Sequence, residues 1–161
     1  MTASQPISFR NATFSAPPAE PITVWPLALA ICTTIEPTAT LERAVALLAK
    51  HRIGALVVLG ADQRIIGILS ERDIVRAFAE LGASALTTPL AQIMTRKVVT
   101  CSEADTVAAI MELMTTGTWR NLPVLEQERL VGIVSIGDIV KHRLSEIEHE
   151  SAALRDYIQS A

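Results

Sequence analysis

One unit of sequence occurs twice in this 161-residue chain, and that duplication constrains the fold more than any other feature. The stretch Thr40-Leu41-Glu42-Arg43-Ala44-Val45-Ala46-Leu47-Leu48 returns in pattern as Thr106-Val107-Ala108-Ala109-Ile110-Met111-Glu112-Leu113-Met114, 66 residues on. At the same displacement Ile53-Gly54-Ala55-Leu56-Val57-Val58-Leu59 returns as Trp119-Arg120-Asn121-Leu122-Pro123-Val124-Leu125. After a one-residue deletion, Ile66-Gly67-Ile68-Leu69-Ser70-Glu71-Arg72-Asp73-Ile74-Val75 returns as Val131-Gly132-Ile133-Val134-Ser135-Ile136-Gly137-Asp138-Ile139-Val140. Such a chain folds as two copies of one supersecondary unit.

The periodicities within each copy agree. A short extended stretch (Thr33 to Ile35; Val98 to Thr100) leads to Thr40 or Thr106, a good N-cap, and then to Leu41, Val45, Leu48 or Val107, Ile110, Met114 at helical spacing. Leu56 to Leu59 and Ile65 to Leu69 flank a Gly-Ala-Asp-Gln turn and predict a hairpin. Leu122 to Leu125 and Leu130 to Val134 predict its counterpart. These strands are nearly continuously apolar, so both their faces are expected to be covered. A second helix starts at Ser70 or Ser135, and a final one is predicted from about Lys141 to Gln159. The unit is β-α-β-β-α.

The repeat resembles a tandem pair of cystathionine beta-synthase (CBS) domains of the small, stand-alone bacterial type, over about residues 22 to 160. The twice-occurring Gly-apolar-apolar-Ser-x-x-Asp at the strand-to-helix junction carries the resemblance, supported by Leu81 to Thr87 and Ile93-Met94-Thr95. It implies an α/β fold of two β-α-β-β-α motifs about a pseudo-twofold axis, with a C-terminal helix. The expected organisation is a flexible arm over 1–25, motif 1 over 26–86, motif 2 over 87–144 and a terminal helix over 145–161. Pro6, Pro17, Pro18 and Pro21, spaced by Ser, Thr and Ala, argue for an extended arm, and its weakly charged lead argues against a signal peptide.

The junctions are where chemistry is expected. A helix N-terminus offers unpaired N–H groups and a positive dipole end, which receive phosphate. A carboxylate in the first turn can accept from two vicinal ribose hydroxyls. Asp73 and Asp138 hold that position after Ser70 and Ser135, and the resemblance implies ribose binding by the Asp with the Ser near the ribose or phosphate. The competing role is a capping box, in which Ser and Asp satisfy helix donors. In either case both aspartates are expected to be removable with the fold intact. Arg120 stands where nucleotide-binding relatives often hold phosphate, opposite Gly54 in the other copy, so the two clefts are expected to differ. Many similar pairs read Arg-His-Leu-Pro there. Asn121 replaces that His and removes a cation. Arg72 and Arg76, four apart on the helix after the first motif, either reach phosphates or make surface pairs. Thr34, Ala55 and Thr100 complete the candidate ligand-binding set.

The resemblance implies a regulatory ligand such as AMP, ADP, ATP or NAD(H), with no catalytic cofactor, and a homodimer formed through the broadly apolar helices that begin at Thr40 and Thr106. The rivals are a ligand-free dimerisation module and a nucleotide-processing enzyme. No paired acid and base, nucleophile elbow or Walker loop is visible for the latter. His51, His142 and His149 are scattered without ligand spacing, so no metal site is expected. A formal charge of -3 disfavours nucleic acid, and no apolar run is longer than that of Leu27 to Cys32, far short of a membrane span. Cys32 and Cys101 form no framework and suit a reducing cytoplasm.

Overall fold

Each half of the computed structural model, which describes Thr23 and residues 32–160, runs through the same five elements. The first half is β1 (Thr34–Ile35), α1 (Leu41–His51), β2 (Ala55–Leu59), β3 (Ile65–Ser70) and α2 (Glu71–Leu81). A 3-10 segment (Gly82–Thr87) and α3 (Leu90–Ile93) lead to β4 (Cys101–Ser102), α4 (Val107–Gly117), β5 (Asn121–Glu126), β6 (Arg129–Ser135) and α5 (Ile136–Ser160). In both halves the first strand runs parallel to the second, and the second pairs antiparallel with the third. The α/β tandem architecture expected from the repeat is the one observed. The arm expected over 1–25 and the first residues of motif 1, 26–31, lie outside the described residues apart from Thr23, which forms an isolated bridge with Thr106.

Local sequence explains the matched helices. The hydroxyls of Thr40 and Thr106 accept the N–H groups of Arg43 and Ala109 at 3.4 and 3.2 Å, each satisfying a first-turn donor. Both helices end on a left-handed residue, Arg52 (φ 53°) and Thr118 (φ 58°), again 66 positions apart.

Two apolar clusters form the core. Leu41, Leu48, Leu56, Val58, Leu69 and Leu90 close one half, and Val107, Ile110, Met114, Leu122, Val124 and Ile139 the other. The central strands are buried where the apolar runs predict, β2 over Ala55 to Val58 and β5 over Leu122 to Val124. The outer strands β3 and β6 depart from the expected cover on both faces: they bury only alternate residues, Gly67 and Leu69 or Gly132 and Val134, with one face on the core and the other more open.

The terminal helix differs from expectation. It does not begin near Lys141 but continues the second helix of motif 2 without a break, from Ile136 to Ser160. No Gly or Pro occurs between Gly137 and Ser160 to stop it.

Candidate functional site

Strand register builds the junctions. Ala55 pairs with Ser70 across the first hairpin, and Asn121 pairs with Ser135 across the second. The residue before each strand therefore lies beside a helix N-terminus. The Gly54 carbonyl accepts the Glu71 N–H at 3.3 Å, and the Arg120 carbonyl accepts the Ile136 N–H at 2.8 Å. Gly54 and Arg120, repeat mates in sequence, are thus the same structural part, one bare and one carrying a guanidinium.

A cavity of about 470 Å³ lies between the two motifs, within the range of small-molecule sites. From motif 1 it is lined by Gly54, Ser70, Arg72, Asp73 and Arg76, and from the connection between α3 and β4 by Thr95. From motif 2 it is lined by Gly117, Thr118, Trp119, Arg120, Asn121 and Ser135. The N-termini of α2 and α5 both open onto it, so two positive dipole ends and three arginines face one volume. Thr34, Ala55, Thr100 and Asp138 do not line it. Thr34 is exposed on β1 opposite Val57, Thr100 is half-buried just before β4, and Ala55 is buried in β2. A second cavity, about 510 Å³ and mainly apolar, belongs to motif 1 alone, between α1 and the start of α2.

The two aspartates are not equivalent. Asp73 is 3% exposed, and both its oxygens are occupied. Its Oδ2 accepts the Ser70 N–H at 2.8 Å and the Ser70 hydroxyl at 2.9 Å. Its Oδ1 accepts Arg76 Nη2 at 2.7 Å and the Thr95 hydroxyl at 2.8 Å. Arg76 also donates to the Ile93 carbonyl at 3.1 Å. Asp138 has the capping half of this arrangement: its Oδ2 accepts the Ser135 N–H at 3.1 Å, and its own N–H donates to Ser135 Oγ at 3.2 Å. Its Oδ1 has no hydrogen-bond partner among the described residues. Lys141, which replaces Arg76 in the repeat, is exposed and makes no bond to it.

Asp73 therefore has a structural task, which modifies the expectation that it can be removed with the fold intact. Thr95, Gly117 and Thr118 line the cavity and are site residues that sequence reasoning missed, and Thr95 is the one that bonds to Asp73. It reaches Asp73 from 22 positions away, held there by a backbone bridge with Ile68, and no local pattern signals that contact. Burial pushes the thiols of Cys32 and Cys101 up to about 11, with Asp105 adding to the shift at Cys101, so both are neutral near pH 7. Among the described residues no group of three or more His, Cys, Asp or Glu side chains is placed to hold a metal.

These features define a class: a two-repeat α/β module with a polar cleft, suited to an anionic ligand, between its halves. The CBS domain family matches at residues 30–80 and again at 90–145, and the chain belongs to that family. It is 37% identical over 132 residues to the mitochondrial CBS domain-containing protein CBSX3 of Arabidopsis thaliana, covering 80% of this chain and 63% of that one. The chain thus spans somewhat under two thirds of that relative. The crystal structure of the CBS-domain protein ATU1752 from Agrobacterium tumefaciens is 44% identical, with a TM-score of 0.68 over 70% of this chain and 84% of that one. The CBS domain pair of protein MJ0100, solved with 5′-methylthioadenosine and S-adenosylmethionine, is 25% identical, with a TM-score of 0.72 over 78% of this chain and 98% of that one. No described helix is long and apolar enough to cross a membrane.

Proposed function

We propose that this chain is a regulatory module that binds an adenosine-containing ligand in the cleft between its motifs and passes occupancy to a partner or to its own assembly. The observation that carries this reading is the convergence of two helix N-termini with Arg72, Arg76 and Arg120 on one volume that has an aspartate and an indole in its wall. The ligands crystallised with the MJ0100 pair support the adenosine element. AMP, ADP, ATP and NAD(H) all carry it with a phosphate. The chain's own task is binding, not turnover, in a reducing cytoplasm.

Arginine 120 supplies the test. Arg120→Ala should weaken AMP binding about tenfold or more while leaving adenosine nearly unchanged, because only AMP carries the charge the guanidinium receives. Calorimetric titration of both ligands measures it, and equal losses would show that Arg120 acts through packing. A thermal-shift panel of AMP, ATP, NADH and S-adenosylmethionine screens for the native ligand. At 100 times its dissociation constant a true ligand adds about 2.7 kcal/mol of stability. One observation favours a second reading: the Asp73 oxygens are already taken by protein donors. A panel in which no compound shifts the transition favours the ligand-free dimerisation unit.

Homodimerisation belongs to the same proposal. Ala46 and Ala49 on α1, with Ala108, Ala109 and Met111 on α4, present small and apolar groups to solvent, as interface helices do. Met111 is the better probe, since Leu47 packs against the core of motif 1 and a charge there would test folding instead. Met111→Glu is expected to halve the particle mass in sedimentation equilibrium at micromolar concentration. An unchanged dimer would put the interface elsewhere.

A further inference from the structure

Most of α5 extends past the body, with Ile139 its only buried residue. Val140, Leu144, Ile147, Leu154 and Ile158 lie along it with Ser151 between, at successive spacings of four, three, four, three and four. The five apolar members are 47 to 73% exposed. That alternation is the a/d seam of a coiled coil, here with Leu144, Ser151 and Ile158 at a and Val140, Ile147 and Leu154 at d. Positions away from the seam carry Ser145, Glu146, His149, Asp156 and Gln159. The seam runs about 27 Å at the helical rise.

The charges beside the seam identify the occupant. In a parallel pair each g residue faces the next e residue of the partner helix. Arg143 then meets Glu148 of the partner subunit, and Glu150 meets Arg155 of the partner subunit, each twice by symmetry. An antiparallel pair that keeps every seam layer sets Glu148 against Glu148 of the partner subunit, Glu150 against Glu150 of the partner subunit and Lys141 against Arg155 of the partner subunit. All of those are repulsive. Arg143 now pairs with Glu146 at 3.1 Å on an exposed surface, a contact weak enough to exchange. An anionic lipid surface is a poor alternative, because from Arg143 onward the helix carries two arginines against four carboxylates.

We propose that residues 140–158 form a parallel, in-register two-stranded coiled coil with the same helix of a second copy. A seam of this length is marginal alone, so the proposal rests on the homodimer reading, and the test separates the two. Ser151→Cys is nearly isosteric and sits at a seam layer where only a parallel, in-register pair brings identical residues together. In the full-length chain with Cys32→Ser, mild oxidation with glutathione should convert most of the Ser151→Cys protein to a disulfide-linked dimer. Ala153→Cys, on the outer face, should stay unlinked. Glu150→Arg should slow linkage at least severalfold at low salt, and adding Arg155→Glu should restore it. A particle of dimeric mass in which Ser151→Cys does not link, whether because the helices run antiparallel or because another segment covers the seam, overturns the proposal and leaves the homodimer reading standing. A monomeric mass overturns both.

Discussion

Replacing Asp73 with alanine should lower folding stability by about 2–4 kcal/mol, enough to shift a urea midpoint by about 1–2 M at the m-values usual for small proteins. The carboxylate is buried and joins three elements: it caps α2 through Ser70, holds Arg76 one turn on, and accepts Thr95 from the inter-motif connection. Its loss leaves the Thr95 hydroxyl and the Ser70 N–H without their acceptor. The guanidinium of Arg76 is half-exposed and recovers water, so the figure lies below the full cost of breaking a buried ion pair. Asp138→Ala, by contrast, removes a cap alone and should cost about 1 kcal/mol. Paired denaturation curves measure the difference. Equal midpoints for the two variants would mean that the Arg76 and Thr95 bonds add nothing to stability.

The same contrast bears on ligand studies. A loss of binding in Asp73→Ala mixes site and scaffold, whereas Asp138→Ala removes a cap outside that cavity and so controls for the capping contribution alone. On the proposed reading, ribose hydroxyls that reach Asp73 Oδ1 would compete there with Arg76 and Thr95, and displacing Arg76 would free its guanidinium for a phosphate. A cleft of that kind binds through exchange of hydrogen bonds, not by filling empty acceptors, and its net affinity per bond is correspondingly modest.

The repeat made the topology readable because a 66-residue displacement holds through a cap, a helix and a strand, and each of those has a local chemical cause. Thr40 and Thr106 cap because of their own hydroxyls, and the hairpin register follows from apolar runs around a tight turn. The junction was legible too: Gly54, Ser70, Arg72, Asp73, Arg76, Arg120, Asn121 and Ser135 all line one cavity. What could not be read was whatever depends on distant parts of the chain. Thr95 comes to Asp73 only because the connection after α3 bridges to β3 at Ile68. Thr34 and Thr100, matched in the repeat, lie away from the cavity because the leading strands sit on the far side of β2 and β5. The continuity of α5 was not legible because the repeat supplies no counterpart for a helix this long: α2 ends at Leu81, while α5 runs on to Ser160.

Trp119 owes its place in the cavity wall to a missing methyl group, and adding that group should invert its sign of effect between two backgrounds. A Cβ built on Gly117, the last residue of α4, would stand 1.9 Å from Cζ3 and 2.0 Å from Cε3 of the Trp119 ring. No rotation of an alanine methyl relieves that overlap, so the indole must leave its position against the second core cluster and the cleft. Gly117→Ala is therefore expected to cost about 1–3 kcal/mol, as overpacked sites do, and to shift indole emission measured in a Trp25→Phe background. With Trp119→Ala already present the obstacle is gone. The same Gly117→Ala change then gains up to about 1 kcal/mol from the better helix propensity of alanine. A double-mutant cycle by urea denaturation reads the coupling directly. If Gly117→Ala costs the same with and without the indole, the ring does not occupy that seat in solution, and the wall of the cleft beside Arg120 is built by other residues.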